Sequence, residues 1–160
     1  MRILEGYAPG ERPPLAGYAT LMSVFTSMVG ALSWGAWRTG HQLPERIAAG
    51  DLVLLAAATH KASRLIAKDR VTSALRAPFA SLEGEGGPGE VEEQARGSGL
   101  QLAIGELLIC PYCLGPWVAT GLAGGLVLAP RPTRLVASVL SVVFAADVLQ
   151  IAYKGLEDIL

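Results

Sequence analysis

Two cysteines stand close together in the segment Cys110-Pro111-Tyr112-Cys113, and the chain has no others. In a Cys-x-x-Cys pair at the start of a helix, one thiol becomes more acidic and the second lies one turn away to resolve a mixed disulfide. Two neighbouring cysteines do not make the disulfide framework of a small secreted domain. Cys110 and Cys113 are therefore a candidate redox pair.

The sequence around this pair argues against a soluble redox fold. The tetrapeptide matches a glutaredoxin active site, but a thioredoxin-like domain needs a βαβ unit around it. Here the motif continues into an apolar run and no strand pattern precedes it, so we exclude that fold. Three alternatives remain: a redox pair, simple packing in a helix kinked by Pro111 and Pro116, or a metal site. Zinc usually requires four ligands, so we predict no metal and no cofactor.

A second group of candidate residues consists of ionisable side chains within apolar stretches, namely His60, Lys61, Arg64, Glu106 and Asp147. Such residues are costly inside a membrane and usually face a partner or a cavity. His60, Lys61 and Arg64 share one helical face with Lys68, at 100° per residue. Because the Asp147 side chain is short, we predict that it faces the bundle interior and pairs with Arg64, Lys61 or His60. In the alternative interpretation, the cations extend to the headgroups and Glu106 is their surface partner.

The elements that position these residues are predicted to be membrane-spanning helices. Of 160 residues, 51% are hydrophobic and 17% are charged, and the mean hydropathy is +0.41; an ordinary soluble domain has roughly 25% charged residues. A helix crosses the hydrocarbon core in roughly 20 residues. The apolar runs predict an all-α, four-helix transmembrane bundle with spans at about 14–37, 47–67, 104–129 and 135–153. The second run is the least apolar, since it also contains Asp51.

The distribution of lysine and arginine predicts the orientation of the bundle. With the amino terminus inside, nine of the 13 basic residues lie on the cytoplasmic side. We therefore expect an inner-membrane protein with both termini in the cytoplasm. On the outer side, Asp51 would pair with Arg38 or Arg134. The net charge of −1 argues against a nucleic-acid partner, which requires a basic surface.

The long connection between the second and third spans has two parts of opposite charge. Residues 68–79 are basic and suit the surface of an anionic membrane, which makes Lys68, Arg70, Arg76 and Phe79 candidate contacts for lipid headgroups or a partner. Residues 80–101 are rich in glycine and glutamate. They lack apolar surface to offset their ordering entropy, so we expect a mobile cytoplasmic loop with about one helical turn.

Two long motif blocks, Lys61 to Phe79 and Glu106 to Ala119, together with Gly97-Ser-Gly, resemble a bacterial family of small membrane proteins. The family is catalogued as domain of unknown function 1360, and some relatives in spore formers are labelled sporulation proteins. The resemblance covers about residues 47–153 and implies a multi-span inner-membrane protein, but no activity. The motif residues that it singles out are Lys61, Ser63, Arg64, Lys68, Asp69, Thr72, Ser73, Arg76, Pro78, Phe79, Glu106, Cys110, Pro111, Cys113, Gly115 and Trp117.

Three functions are compatible with these patterns. The first is an interaction or scaffold protein that contacts the bilayer, anionic headgroups, another membrane protein or a second copy through residues 68–79. The second is a thiol–disulfide redox protein using Cys110 and Cys113. The third is a small transporter or channel subunit with Arg64, Glu106 and Asp147 along a polar path. We find no nucleophile–base pair, phosphate loop or cofactor fingerprint, so the sequence favours a non-enzymatic role.

Overall fold

The computed structural model of this chain describes Tyr7 and residues 13–157. In this part of the chain, six α-helices, a 3-10 turn and one β-hairpin follow each other. Their bounds are α1 Leu15–Arg38, α2 Ala49–Ala67, the 3-10 turn Arg70–Thr72, α3 Ser73–Arg76, β1 Ala80–Glu85, β2 Val91–Ala95, α4 Gly99–Leu108, α5 Pro111–Leu128 and α6 Pro130–Glu157.

Three of these helices are long and apolar enough to cross a membrane, namely α1, α5 and α6, whose apolar windows have mean hydropathies of 1.5, 1.2 and 2.1. Large apolar side chains on α6, such as Val142 and Ile151, are exposed, as expected of a surface that contacts lipid. The second predicted span forms the 19-residue helix α2, but Asp51, Lys61 and Arg64 make it too charged to meet the same criterion. Three of the four predicted spans are thus candidate membrane helices by length and composition.

Helix α2 lies at the centre of the helical packing, against both α5 and α6, while α1 packs on α4 and α5. The core between α2 and α6 is formed by Leu55, Ala58 and Ala137. Both alanines are fully buried, and small side chains at a contact let two helix backbones approach closely. The charged residues of α2 are consequently held next to α5 and α6.

The predicted third span, 104–129, is divided between α4 and α5. Cys110 has an extended backbone, with φ −108° and ψ 104°, and therefore interrupts the helix. The residue before a proline is disfavoured in the helical region because the proline ring clashes with its backbone. Pro111 then occupies the first position of α5, where a missing N–H costs nothing. The kink expected at Pro111 is in fact a helix boundary, whereas Pro116 lies inside the continuous helix α5.

The acidic half of the connection forms a hairpin, where the sequence predicted a loop with one helical turn. Strands β1 and β2 are antiparallel, with Ala80 opposite Ala95 and Glu85 opposite Val91. Gly89 has φ +76° in the turn, a conformation that suits glycine. The hairpin is also bound to the chain after α2, because Val91 N donates to the Lys68 carbonyl over 2.9 Å. Backbone pairing and the ion pairs described below supply the stabilisation that composition did not reveal.

Candidate functional site

Cys110 and Cys113 meet at the amino-terminal end of α5. Their Cα atoms are 5.2 Å apart, within the range of roughly 4.4–6.8 Å that a disulfide bridges, and their sulfur atoms are paired as a disulfide. Cys110 is the N-cap residue of α5, and its Sγ accepts a hydrogen bond from the Cys113 N–H over 3.2 Å. The predicted redox pair is therefore brought together by a helix start.

The surroundings of the pair leave it accessible. Cys110 is half-buried and Cys113 is exposed, while Tyr112 between them is 90% exposed. A cysteine that serves only for packing is usually buried. The exposure of Cys113 therefore fits the packing interpretation less well than the redox interpretation.

A cavity of about 270 Å³ lies between α2 and the start of α5. Its walls are formed by Ala56, Thr59, His60, Ser63, Arg64, Pro111, Tyr112 and Gly115. Ser63 is only 3% exposed, and within residues 13–157 neither its hydroxyl nor that of Thr59 has a hydrogen-bond partner. Buried polar groups nearly always have a hydrogen-bond partner, so two buried hydroxyls without one beside the same cavity are unusual.

Asp147 pairs with Lys61, one of the three donors predicted for it. Lys61 Nζ donates to Asp147 Oδ2 over 2.7 Å, which joins α2 to α6. The neighbouring His60 packs edge-on against Phe144, with ring centroids 5.0 Å apart. Two of the predicted polar residues thus form one pair, and a third has an aromatic contact.

The remaining members of the predicted polar group lie in separate pairs. Arg64 donates through Nε and Nη2 to both carboxylate oxygens of Glu90 in the hairpin, at 2.6–3.0 Å. Glu106 accepts a 2.6 Å hydrogen bond from the Tyr18 hydroxyl on α1. Glu106 is therefore not the partner of the predicted cations, because Lys61 pairs with Asp147 of α6 and Arg64 pairs with Glu90 of the hairpin. The polar residues form three local pairs instead of one network.

The basic segment 68–79 faces the hairpin through charge pairs. Lys68 binds Glu92 at 2.7 Å and Arg70 binds Glu85 at 3.1 Å. Phe79, the last residue of the segment, contacts the end of the hairpin through its backbone: its carbonyl accepts a hydrogen bond from the Arg96 N–H over 2.9 Å. The contacts predicted for lipid headgroups are therefore engaged within the chain. Opposite charge on the two halves of the connection was the sequence signal for this pairing.

Arg76 has a role that sequence reasoning missed. It is fully buried and pairs with Glu93, which is 5% exposed. Its guanidinium also donates to the Ile66 and Asp69 carbonyls over 2.6 and 3.0 Å and to the Thr72 hydroxyl over 2.7 Å. Arg76 thereby connects the end of α2, the 3-10 turn and the hairpin.

At the other end of α2, Asp51 accepts two hydrogen bonds from Arg134 of α6, at 2.9 and 2.8 Å. Arg134 was one of the two partners predicted for it. The second, Arg38, instead lies over the ring of Trp34, 5.5 Å from its centroid.

Across residues 13–157, no group of three or more His, Cys, Asp or Glu side chains could hold a metal ion.

This chain is mostly helical, and its helices α1, α5 and α6 have the length and apolar composition of membrane-spanning helices. A family model described as "Protein of unknown function (DUF1360)" matches residues 54–153, more than half of the chain, and the chain belongs to that family. The matched region runs from α2 to α6 and includes the hairpin, the cavity walls and the cysteine pair. Searches among curated proteins and among solved structures found no match.

Proposed function

We propose that this chain is a multi-pass membrane protein that carries out thiol–disulfide exchange through Cys110 and Cys113. The observation that carries the proposal is the position of the Cys110 sulfur, which caps α5 and lies beside Cys113. The unpaired N–H groups of a helix start stabilise negative charge, including that of a thiolate. Cys110 is therefore the nucleophile and Cys113, one turn later and exposed, is the resolving residue.

The exchange reaction balances with a partner disulfide as the co-reactant. The Cys110 thiolate attacks one partner sulfur, forming a mixed disulfide and releasing the second partner sulfur as a thiolate. Cys113, after losing its proton to solvent, attacks Cys110 Sγ and frees the first partner sulfur. Two electrons pass from the cysteine pair to the partner, which leaves as a dithiol, and the reverse sequence oxidises a partner dithiol.

We infer further that α2 crosses the membrane as a fourth span, with both termini in the cytoplasm. Its charges have partners that reduce the cost of burial in lipid: Lys61 pairs with Asp147 and Asp51 with Arg134. The excess of lysine and arginine on one side supports the orientation. In this arrangement the hairpin and the cysteine pair lie at the cytoplasmic side of the bundle.

The other two functions receive less support from the geometry. Lys68, Arg70 and Arg76 each have a carboxylate partner in the hairpin, which offsets their attraction to anionic headgroups. Arg64, Glu106 and Asp147 belong to separate pairs, which gives less support to a single polar path. Redox exchange needs only the two cysteines, whose positions suit it.

Alkylation of the thiols in intact membranes tests the proposal, and the absence of other cysteines makes every added mass attributable to this pair. We expect no labelling before reduction and two labels afterwards, with a membrane-permeant reagent. An impermeant reagent should label the reduced pair only in inverted vesicles. Thiols that stay inert after reduction until the protein is denatured would contradict the proposal. A Cys110→Ser, Cys113→Ser variant is the matched control for background labelling.

A further inference from the structure

The cavity between α2 and α5 has the properties of a binding site for a ligand with acceptor oxygens. Ser63 is 3% exposed, and its hydroxyl and that of Thr59 have no partner among the described residues. A buried hydroxyl without a hydrogen bond is destabilising. Both residues border the cavity, so two ligand oxygens placed there would satisfy both groups.

The other walls favour a neutral, flat ligand over an anion. The charge of Arg64 is already balanced by the two oxygens of Glu90, so the cavity offers no net positive charge. Pro111 and Gly115 supply an apolar wall, and the exposed rings of His60 and Tyr112 lie at its edge. Space is available on the α5 side, since a Cβ added at Gly115 would meet nothing within 4 Å.

The size and position of the cavity restrict the class of ligand further. Its volume of about 270 Å³ is near the lower end of small-molecule sites, roughly 300–1,000 Å³, which suits one ring system. Pro111 and Tyr112 are the two residues between the cysteines. A cavity that contacts the middle of the cysteine motif, beside the apolar helix α5, suits a lipid-soluble electron carrier.

We propose that this cavity binds the ring of a membrane quinone, which accepts the electrons of the reduced cysteine pair. The inference rests on the redox function proposed above and assigns its electron acceptor. The Ser63 and Thr59 hydroxyls donate to quinone oxygens, and the isoprenoid tail extends into lipid. Cys110 and Cys113 lie on either side of the cavity wall formed by Pro111 and Tyr112 and do not themselves line the cavity. Electrons are therefore transferred when the quinone ring lies at the end of the cavity next to Tyr112.

The reaction balances without any further reagent. Both S–H bonds of the dithiol break and one S–S bond forms between Cys110 and Cys113. The two electrons and the two protons pass to the quinone, whose two carbonyl oxygens become the hydroxyls of a hydroquinone. One hydroquinone is produced for each disulfide.

The test uses the purified full chain in lipid nanodiscs. The protein is first reduced, and the reductant is then removed under anaerobic conditions. A short-chain ubiquinone analogue is added, hydroquinone is followed by absorbance and remaining thiols are counted by alkylation and mass. We expect one hydroquinone per disulfide. Ser63→Ala and Thr59→Val should each raise the half-saturating quinone concentration about three- to tenfold, as expected for one lost hydrogen bond. Ser27→Ala is the matched control, since that hydroxyl bonds within α1.

Measuring the stability of the variants separates a loss of quinone binding from a loss of folding. Because Ser63→Ala removes a buried hydroxyl that has no partner within residues 13–157, the unfolding temperature of the variant should be unchanged or higher. Equilibrium binding of the analogue to Cys110→Ser, Cys113→Ser protein should be retained, which reports on the cavity without any redox step. Wild-type affinity in both hydroxyl variants would overturn the inference.

Glutathione disulfide distinguishes the two proposals. Oxidation of the cysteine pair by glutathione disulfide but not by the quinone would overturn the quinone site and leave thiol exchange intact. Oxidation by neither reagent would remove both proposals. Oxidation by both, with the predicted loss in the hydroxyl variants, is the expected result.

Discussion

Lys61 of α2 and Asp147 of α6 form an ion pair with an Nζ–Oδ2 distance of 2.7 Å, although 86 positions separate them in sequence. The pair lies among apolar helices, with Lys61 16% and Asp147 41% exposed at the side chain. Each residue alone would be costly in lipid. Together they allow α2 to carry charge on the face that it turns toward α6.

This relationship predicts strong coupling between the two residues. Lys61→Met or Asp147→Leu alone should destabilise the fold by about 2–3 kcal/mol, since one charge loses its partner in an apolar setting. The double variant should recover most of that loss, because both charges are gone. Reversible unfolding in mixed detergent measures the three variants as a double-mutant cycle. Additive effects of the two substitutions would show that the pair contributes no coupling.

A second prediction concerns the buried cation of the basic segment. Arg76→Leu should destabilise the fold by about 3–5 kcal/mol, because it leaves Glu93 buried without a partner. Arg70→Leu is the matched control. Its pair with Glu85 is exposed at both side chains, so the loss should stay below about 1 kcal/mol. Equal effects of the two substitutions on the unfolding midpoint would argue against a structural role of Arg76 in connecting α2, the 3-10 turn and the hairpin.

A third prediction separates an ordered hairpin from a mobile loop. Amides of β2, Val91–Ala95, should exchange with deuterium more slowly than those of residues 40–48, the connection between α1 and α2, because they form a ladder with β1. Glu93→Gln should speed exchange across the hairpin by weakening its contact with Arg76. Exchange in β2 as fast as in residues 40–48 would favour the mobile loop predicted from composition.

A fourth prediction follows from the different roles of the two cysteines. Treated with glutathione disulfide or a partner disulfide, Cys113→Ser should accumulate mixed disulfides, since the nucleophile remains and the resolving thiol is missing. Cys110→Ser should accumulate them at least about tenfold less, because Cys113 does not cap the helix. Non-reducing mass spectrometry quantifies both adducts. Equal adduct levels in the two variants would contradict the assignment of Cys110 as nucleophile.

Much of the helical architecture was predictable because it depends on local composition. Three apolar runs became α1, α5 and α6, and the resemblance to the family is confirmed over residues 54–153. The boundary between α4 and α5 also had a local signal, the residue before Pro111. That signal was interpreted as a kink because length and hydropathy alone do not distinguish a bent span from two helices.

The hairpin was missed because its stability does not come from its own composition. Its glutamates alone favour disorder, and the cations that neutralise them lie in the preceding segment, as Arg76 and Glu93 illustrate. Charge complementarity between neighbouring segments is visible in the sequence. The geometry that brings a guanidinium to a particular carboxylate is not.

The cysteine pair shows the same division between sequence and tertiary structure. The spacing of Cys110 and Cys113 by itself determines that their sulfurs lie about one helical turn apart, and the residue before Pro111 is the local signal for a helix boundary. Only the tertiary structure places Thr59 and Ser63 of α2 beside that boundary and pairs Lys61 with Asp147. Helix formation depends on neighbours along the chain, whereas a cavity and an ion pair depend on which helix faces pack together.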